Sequence, residues 1–94
     1  MSIKFEPIYS VNQPRFDRHE VIRMKNTIIR AIKHNNTERR FLTEYCESKS
    51  RFRCLNYSLF NYCLKELIEE GVVREICIPI TKDIYEYEYE IENN

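Results

Sequence analysis

The chain has 94 residues, of which 32% are charged and 43% apolar, and its formal net charge is zero. This composition specifies one globular domain with one core and excludes a disordered or low-complexity chain. No apolar run approaches the ~20 residues that span a bilayer, and no basic-then-apolar signal pattern opens the chain, so an intracellular location is expected.

Residues 1–16 carry two prolines and no helical period. Ile3, Phe5, Tyr9 and Val11 alternate loosely, as in an extended arm that packs on its own core or on a partner subunit. The first helix is expected to begin at Asp17. Asp17 and Glu20 stand at capping-box spacing, and Phe16 and Val21 at hydrophobic-staple spacing. Val21, Met24, Ile28, Ile29 and Ile32 recur at three- and four-residue steps and form one apolar stripe. The helix should stop near His34, where Asn35 and Asn36 tolerate left-handed geometry.

Thr37 is the expected cap of a second helix, with Glu38 in its first turn. Phe41, Leu42, Tyr45 and Cys46 give that helix a short inner face. The basic segment Ser48–Arg53 (SKSRFR) connects it to a third helix starting at Asn56. There Phe60, Leu64, Leu67 and Ile68 supply the core stripe, flanked by Leu59 and Cys63. Ser58, Asn61, Tyr62 and Lys65 occupy the remaining face. Gly71, the chain's only glycine, marks the helix end, because glycine takes the left-handed cap without steric cost.

Two strands follow, VVREICIPI and IYEYEYEIE, joined by Thr81, Lys82 and Asp83. In the second, Tyr85, Tyr87, Tyr89 and Ile91 alternate with Glu86, Glu88, Glu90 and Glu92. Period-2 alternation puts the rings on one face and the carboxylates on the other. Pro79 implies an edge strand or a bulge.

Charge is unevenly divided. Residues 1–56 hold twelve Lys and Arg against six Asp and Glu, and residues 57–94 hold three against nine. Such a chain can present a basic face despite its neutral sum; alternatively, its halves pair in salt bridges. The four cysteines, at 46, 54, 63 and 77, form no C-x-x-C pair, which argues against a metal site. Cys63 and Cys77 are expected as buried thiols. Cys46 and Cys54 flank one turn, and a disulfide between them stays open. No phosphate-cradling glycine loop, catalytic triad spacing or His-rich pattern appears, so neither enzyme activity nor a cofactor is expected.

The segment Tyr62–Ile76 (YCLKELIEEGVVREI) resembles the recognition-helix-to-wing junction of winged helix-turn-helix regulators. Leu64, Leu67, Glu69, Glu70, Gly71, Val72 and Val73 carry the likeness, which extends more loosely over residues 17–92. By size and cysteine use the chain is also similar to small stand-alone winged-helix proteins of archaea and their viruses. The expected fold is therefore mainly α with a C-terminal β-hairpin (α+β), a three-helix winged helix-turn-helix domain over residues 17–92 preceded by the arm.

The resemblance implies that the third helix enters the major groove of double-stranded DNA. It makes Ser58, Asn61, Tyr62 and Lys65 the base-reading candidates. Lys49, Arg51 and Arg53 become phosphate-contact candidates, as does Lys82, the basic residue near the wing tip. Two features depart from the family pattern: the turn before the third helix is long and lacks glycine, and the wing is acidic.

The expected function is sequence-specific duplex binding by a homodimeric transcriptional regulator. The dimer follows from the apolar stripe of the first helix, counted with Ile22, and from Ile3, Phe5, Ile8 and Tyr9 of the arm, which together exceed what one small domain needs. Two alternatives stand beside it. One is a protein-interaction subunit working through the acidic wing. The other is single-strand binding through the tyrosines.

Overall fold

The computed structural model describes residues 16–92. Three helices, α1 (Arg18–Lys33), α2 (Arg39–Lys49) and α3 (Tyr57–Glu69), precede an antiparallel hairpin of β1 (Val73–Pro79) and β2 (Tyr85–Ile91). This is the α+β, winged-helix-like layout that the sequence implies. The arm residues Ile3, Phe5, Ile8, Tyr9 and Val11 lie outside the described residues.

The helix ends follow from local chemistry. Asn56 caps α3, its Oδ1 accepting the Leu59 N–H at 3.2 Å. At the other end Gly71 has φ +79°. The Gly71 N–H reaches the Ile68 carbonyl at 3.1 Å and the Val72 N–H the Leu67 carbonyl at 2.9 Å. That pair of bonds is a Schellman motif. A Cβ at Gly71 would meet nothing within 4 Å, so the requirement there is conformational and not one of space. The same motif ends α1, with Asn35 at φ 69° taking the glycine role. Asn35 and Asn36 donate to the carbonyls of Ile32 and Ala31, each at 3.0 Å.

Two expected caps are not made. Asp17 occupies the N-cap position of α1, but its side chain forms no capping bond. Thr37 does not cap α2, whose N-cap is Glu38, also without a side-chain bond. Thr37 and Glu38 are extended against β2 instead. The Tyr89 N–H donates to the Thr37 carbonyl at 2.8 Å, and Glu38 forms a bridge with Glu88. A backbone N–H on the free edge of β2 needs a partner, and this short segment supplies it in preference to starting the helix.

The hairpin register runs from Val73↔Ile91 at the root to Pro79↔Tyr85 at the tip. Pro79 ends an edge strand, where its missing N–H costs no ladder bond. The core lies between the three helices and the hairpin root. It is built from Ile28, Ala31 and Ile32 of α1, Leu42 and Cys46 of α2, Phe60, Cys63, Leu64 and Leu67 of α3, and Val73 and Tyr89 of the hairpin.

Several side chains depart from expectation. Phe41, assigned to the inner face of α2, is exposed. Cys77 is exposed rather than buried, because β1 outruns the helices that would cover it. All four cysteines are free, so Cys46 and Cys54 form no disulfide. The supposedly surplus stripe of α1 is largely used within the domain: Val21, Met24 and Ile29 pack against the core and Ile22 alone stays strongly exposed. Among the described residues no helix is long and apolar enough to cross a membrane, and no group of side chains is placed to hold a metal ion.

Candidate nucleic-acid interface

The helical period places Ser58, Asn61 and Lys65 three and four residues apart on one exposed face of α3. Tyr62, assigned to the same face, turns toward α1. Its ring sits 5.4 Å from that of Phe16, and the nearby Glu66 carboxylate holds its phenol above the ordinary value. Glu66 in turn accepts from Lys25 of α1 at 2.8 Å, and Glu70 accepts from the same ammonium at 3.1 Å. Burial works to lower the Lys25 pKa, but the two carboxylates outweigh it and hold the ammonium above its ordinary value. The Lys25 ammonium, and then the Tyr62 hydroxyl, hold Glu66 below the ordinary carboxylate range. Tyr62 therefore borders the α1–α3 seam while staying exposed, and Ser58, Asn61 and Lys65 lie on the open face.

Beside that open face stands Arg39, which the sequence did not single out. Its Nη2 donates to Asn61 Oδ1 at 2.6 Å and its Nη1 to the Tyr89 hydroxyl at 3.3 Å. Tyr89 donates onward to Glu75 Oε2 at 2.8 Å. Burial pushes the Tyr89 phenol up, the Arg39 bond lowers it again, and the Glu75 bond adds to the rise. Arg39 lines a groove with Asn61, Lys65 and Glu75. It also lines a second groove with Arg40, Tyr85 and Tyr87, into which Glu38 and Glu86 project as well. One signal of this was present in the sequence. Two arginines directly follow Glu38 at the start of α2, where a helix N-terminus prefers negative charge. Cations placed at that end are paid for by something outside the helix.

The predicted phosphate contacts gather in part. Lys49 and Arg51 line a cleft of about 210 Å³ between α1, the α2–α3 turn and the start of α3, and Arg23 of α1 joins them. Glu20 lies on the same rim, and Met24, Cys46, Leu55 and Leu59 contribute its apolar lining. Arg53 is exposed next to this cleft in sequence, with φ 55°, a value rare outside glycine. Its N–H donates to the Ser50 carbonyl at 3.3 Å, which closes the turn without a glycine. Lys82 sits at the exposed hairpin turn, apart from both groupings. Burial pushes the Cys46 thiol up to about 12 and the Cys63 thiol up to about 11, so both remain protonated packing groups.

The charge halves do not cancel at close range. Among the described residues, the ion pairs that join the basic half to the acidic half are those of Lys25 with Glu66 and Glu70. Arg74 pairs with Glu90 and Glu92, inside the acidic half. The cations of the α2–α3 turn and of the start of α2 form no ion pair among these residues. The carboxylate row has a defined direction. Tyr89 faces the helices and reaches Arg39, so Glu88 and Glu90, its alternating neighbours, project from the opposite face of the hairpin.

The chain matches no protein-family model, and neither a curated protein nor a solved structure resembles it significantly.

Proposed function

We propose that this protein binds double-stranded DNA through the open face of α3 and acts as a sequence-specific transcriptional regulator of the winged helix-turn-helix kind. The observation that carries the proposal is the set of cations flanking that helix that form no ion pair among the described residues. Arg39 and Arg40 stand at the start of α2, Lys49 at its end, Arg51 and Arg53 in the turn that follows, and Lys65 on α3. Unpaired surface cations keep their charge for phosphate, which supplies most non-specific affinity. Ser58 and Asn61 between them offer the hydrogen-bonding groups that read base edges. Within the acidic row of the hairpin, Glu88 and Glu90 project away from the helices, while Glu86 lines the groove beside Arg39 and Arg40.

Asn61→Ala tests the specific part of the proposal. It should cost about 1–3 kcal/mol on a duplex selected from a random pool and little on random duplex. Equal losses on both, in fluorescence anisotropy titrations, would reduce Asn61 to a backbone contact. No cofactor is needed for this function.

The protein would act as a homodimer, since one module of this size contacts few base pairs and two-fold pairing sets the half-site spacing. Within the described residues Ile22 is the part of the α1 stripe left to support such pairing. Sedimentation equilibrium at micromolar concentration should give twice the chain mass of 11.5 kDa, and a monomer would remove the dimer from the proposal.

A second function is favoured by one specific feature, the exposed apolar tip of the hairpin, where Ile80, Ile84, Tyr85 and Tyr87 are all open to solvent. A protein-interaction subunit would use that tip and the carboxylates beside it. It would bind duplex DNA no better than a neutral protein does.

A further inference from the structure

We propose that Arg39 is a positioning residue that fixes the Asn61 amide as a hydrogen-bond donor toward DNA, and so biases one position of the target toward guanine over adenine. The inference rests on the duplex-binding function above and adds to it the base class read by α3. A guanidinium carries donors only. The Asn61 atom 2.6 Å from Arg39 Nη2 is therefore the amide oxygen, whichever way the planar group is turned. Amide geometry then directs Nδ2 away from Arg39, and no acceptor among the described residues meets it.

Arg39 is itself held in place. Its other terminal nitrogen bonds to the hydroxyl of Tyr89, a side chain only 1% exposed, and its guanidinium lies over the Phe60 ring at 5.6 Å. Tyr89 is tied in turn to Glu75. The orientation of one exposed amide on α3 is thus set from the core, through residues of α2, β2 and β1.

An unrestrained asparagine presents a donor and an acceptor together, which is the pair that adenine requires at N7 and N6. Here the oxygen already receives a charge-assisted bond, the stronger kind. Pairing with adenine loses its acceptor half. Guanine shows two acceptors, N7 and O6, in the same groove and loses nothing. The oxygen's second lone pair does not restore adenine as an equal, because its acceptor strength is already drawn on by the cation.

Two measurements test this. In the free protein, nitrogen-15 NMR should show Arg39 guanidinium protons in slow rotation, and these should collapse to fast averaging in Asn61→Ala and in Tyr89→Phe. Fast averaging in the wild type overturns the positioning role without reference to DNA. In selection from a random duplex pool, the wild type should favour guanine over adenine at one position by on the order of tenfold. Arg39→Ala should bring adenine to within about twofold of guanine there and leave other positions alone. Arg39→Lys, which keeps the charge but not the fork, should retain the salt dependence of binding while relaxing the same position. A base profile unchanged in Arg39→Ala, or loosened equally at every position, overturns the proposal. Absence of duplex binding by the wild type overturns the functional reading and the guanine assignment with it; slow Arg39 protons in that case place the fault in the ligand and not in the geometry.

Discussion

The seam between α1 and α3 and the open face of α3 belong to one helix, yet they treat positive charge differently. In the seam, Lys25 is half-buried and ends on two carboxylates, Glu66 and Glu70. On the open face, Arg39 ends on a neutral amide and a neutral phenol, Asn61 and Tyr89. The first cation is neutralised by its partners and holds two helices together. The second is oriented by its partners and forms no ion pair among the described residues. Charge count alone gives both the same value; the acceptor at the end of each side chain separates an ion-paired cation from one held by neutral groups.

The largest effect expected from breaking this contrast comes at its anchor. Tyr89 joins the open face to the core, and Tyr89→Ala should lower stability by about 3–5 kcal/mol, as other large aromatic truncations in cores do. Tyr85→Ala and Tyr87→Ala, four and two residues earlier in the same alternation but exposed, should stay within about 0.5 kcal/mol. Urea titrations of the three variants check this, and a large loss at Tyr85 or Tyr87 would mean that the tip is covered in solution.

A smaller effect sharpens the seam. The Lys25 pKa is raised from 10.5, so its contribution is present below that value and disappears as pH rises through the higher folded pKa. The Glu66 pKa is lowered from 4.5, so its contribution is present above 4.5 and disappears as pH falls through the lower folded pKa. Between these limits the pair should add a constant amount. Its partial exposure keeps that amount to about 0.5–1 kcal/mol. The difference in thermal stability between wild type and Lys25→Met should therefore be flat from pH 6 to pH 9 and shrink at both extremes. A difference that changes steadily across neutrality would show that other groups dominate the seam.

Much of the fold was legible in the sequence because it is locally determined. Gly71 stops α3 through its own φ, Asn56 caps α3 through a bond three residues long, and the Tyr–Glu alternation defines the hairpin faces. The errors arise where tertiary geometry decides. Thr37 looks like a helix cap but is claimed by the backbone of β2, more than fifty residues later in the chain. Phe41 and Cys77 fit their local patterns, yet both stay exposed, with the Arg40 guanidinium lying over the Phe41 ring. In the candidate site, the open face of α3 was readable from the helical period, whereas the packing of the Tyr62 ring beside Phe16 was not. The Arg39 network was not readable, since its three hydrogen bonds join residues 22, 50 and 14 positions apart. Only the arginines at the positive end of α2 hinted at it.

The central claim is that the unpaired cations around α3 meet phosphate. Its most direct test is the affinity for random-sequence duplex DNA as a function of salt, for the wild type and for Lys49, Arg51 and Arg53 changed together to Ala. The wild type should lose affinity steeply as salt rises. The triple variant should show a logarithmic slope less negative by about 2.7, since each phosphate contact contributes about 0.9. A wild type that does not bind duplex DNA, or a slope left unchanged by the three substitutions, would contradict the account.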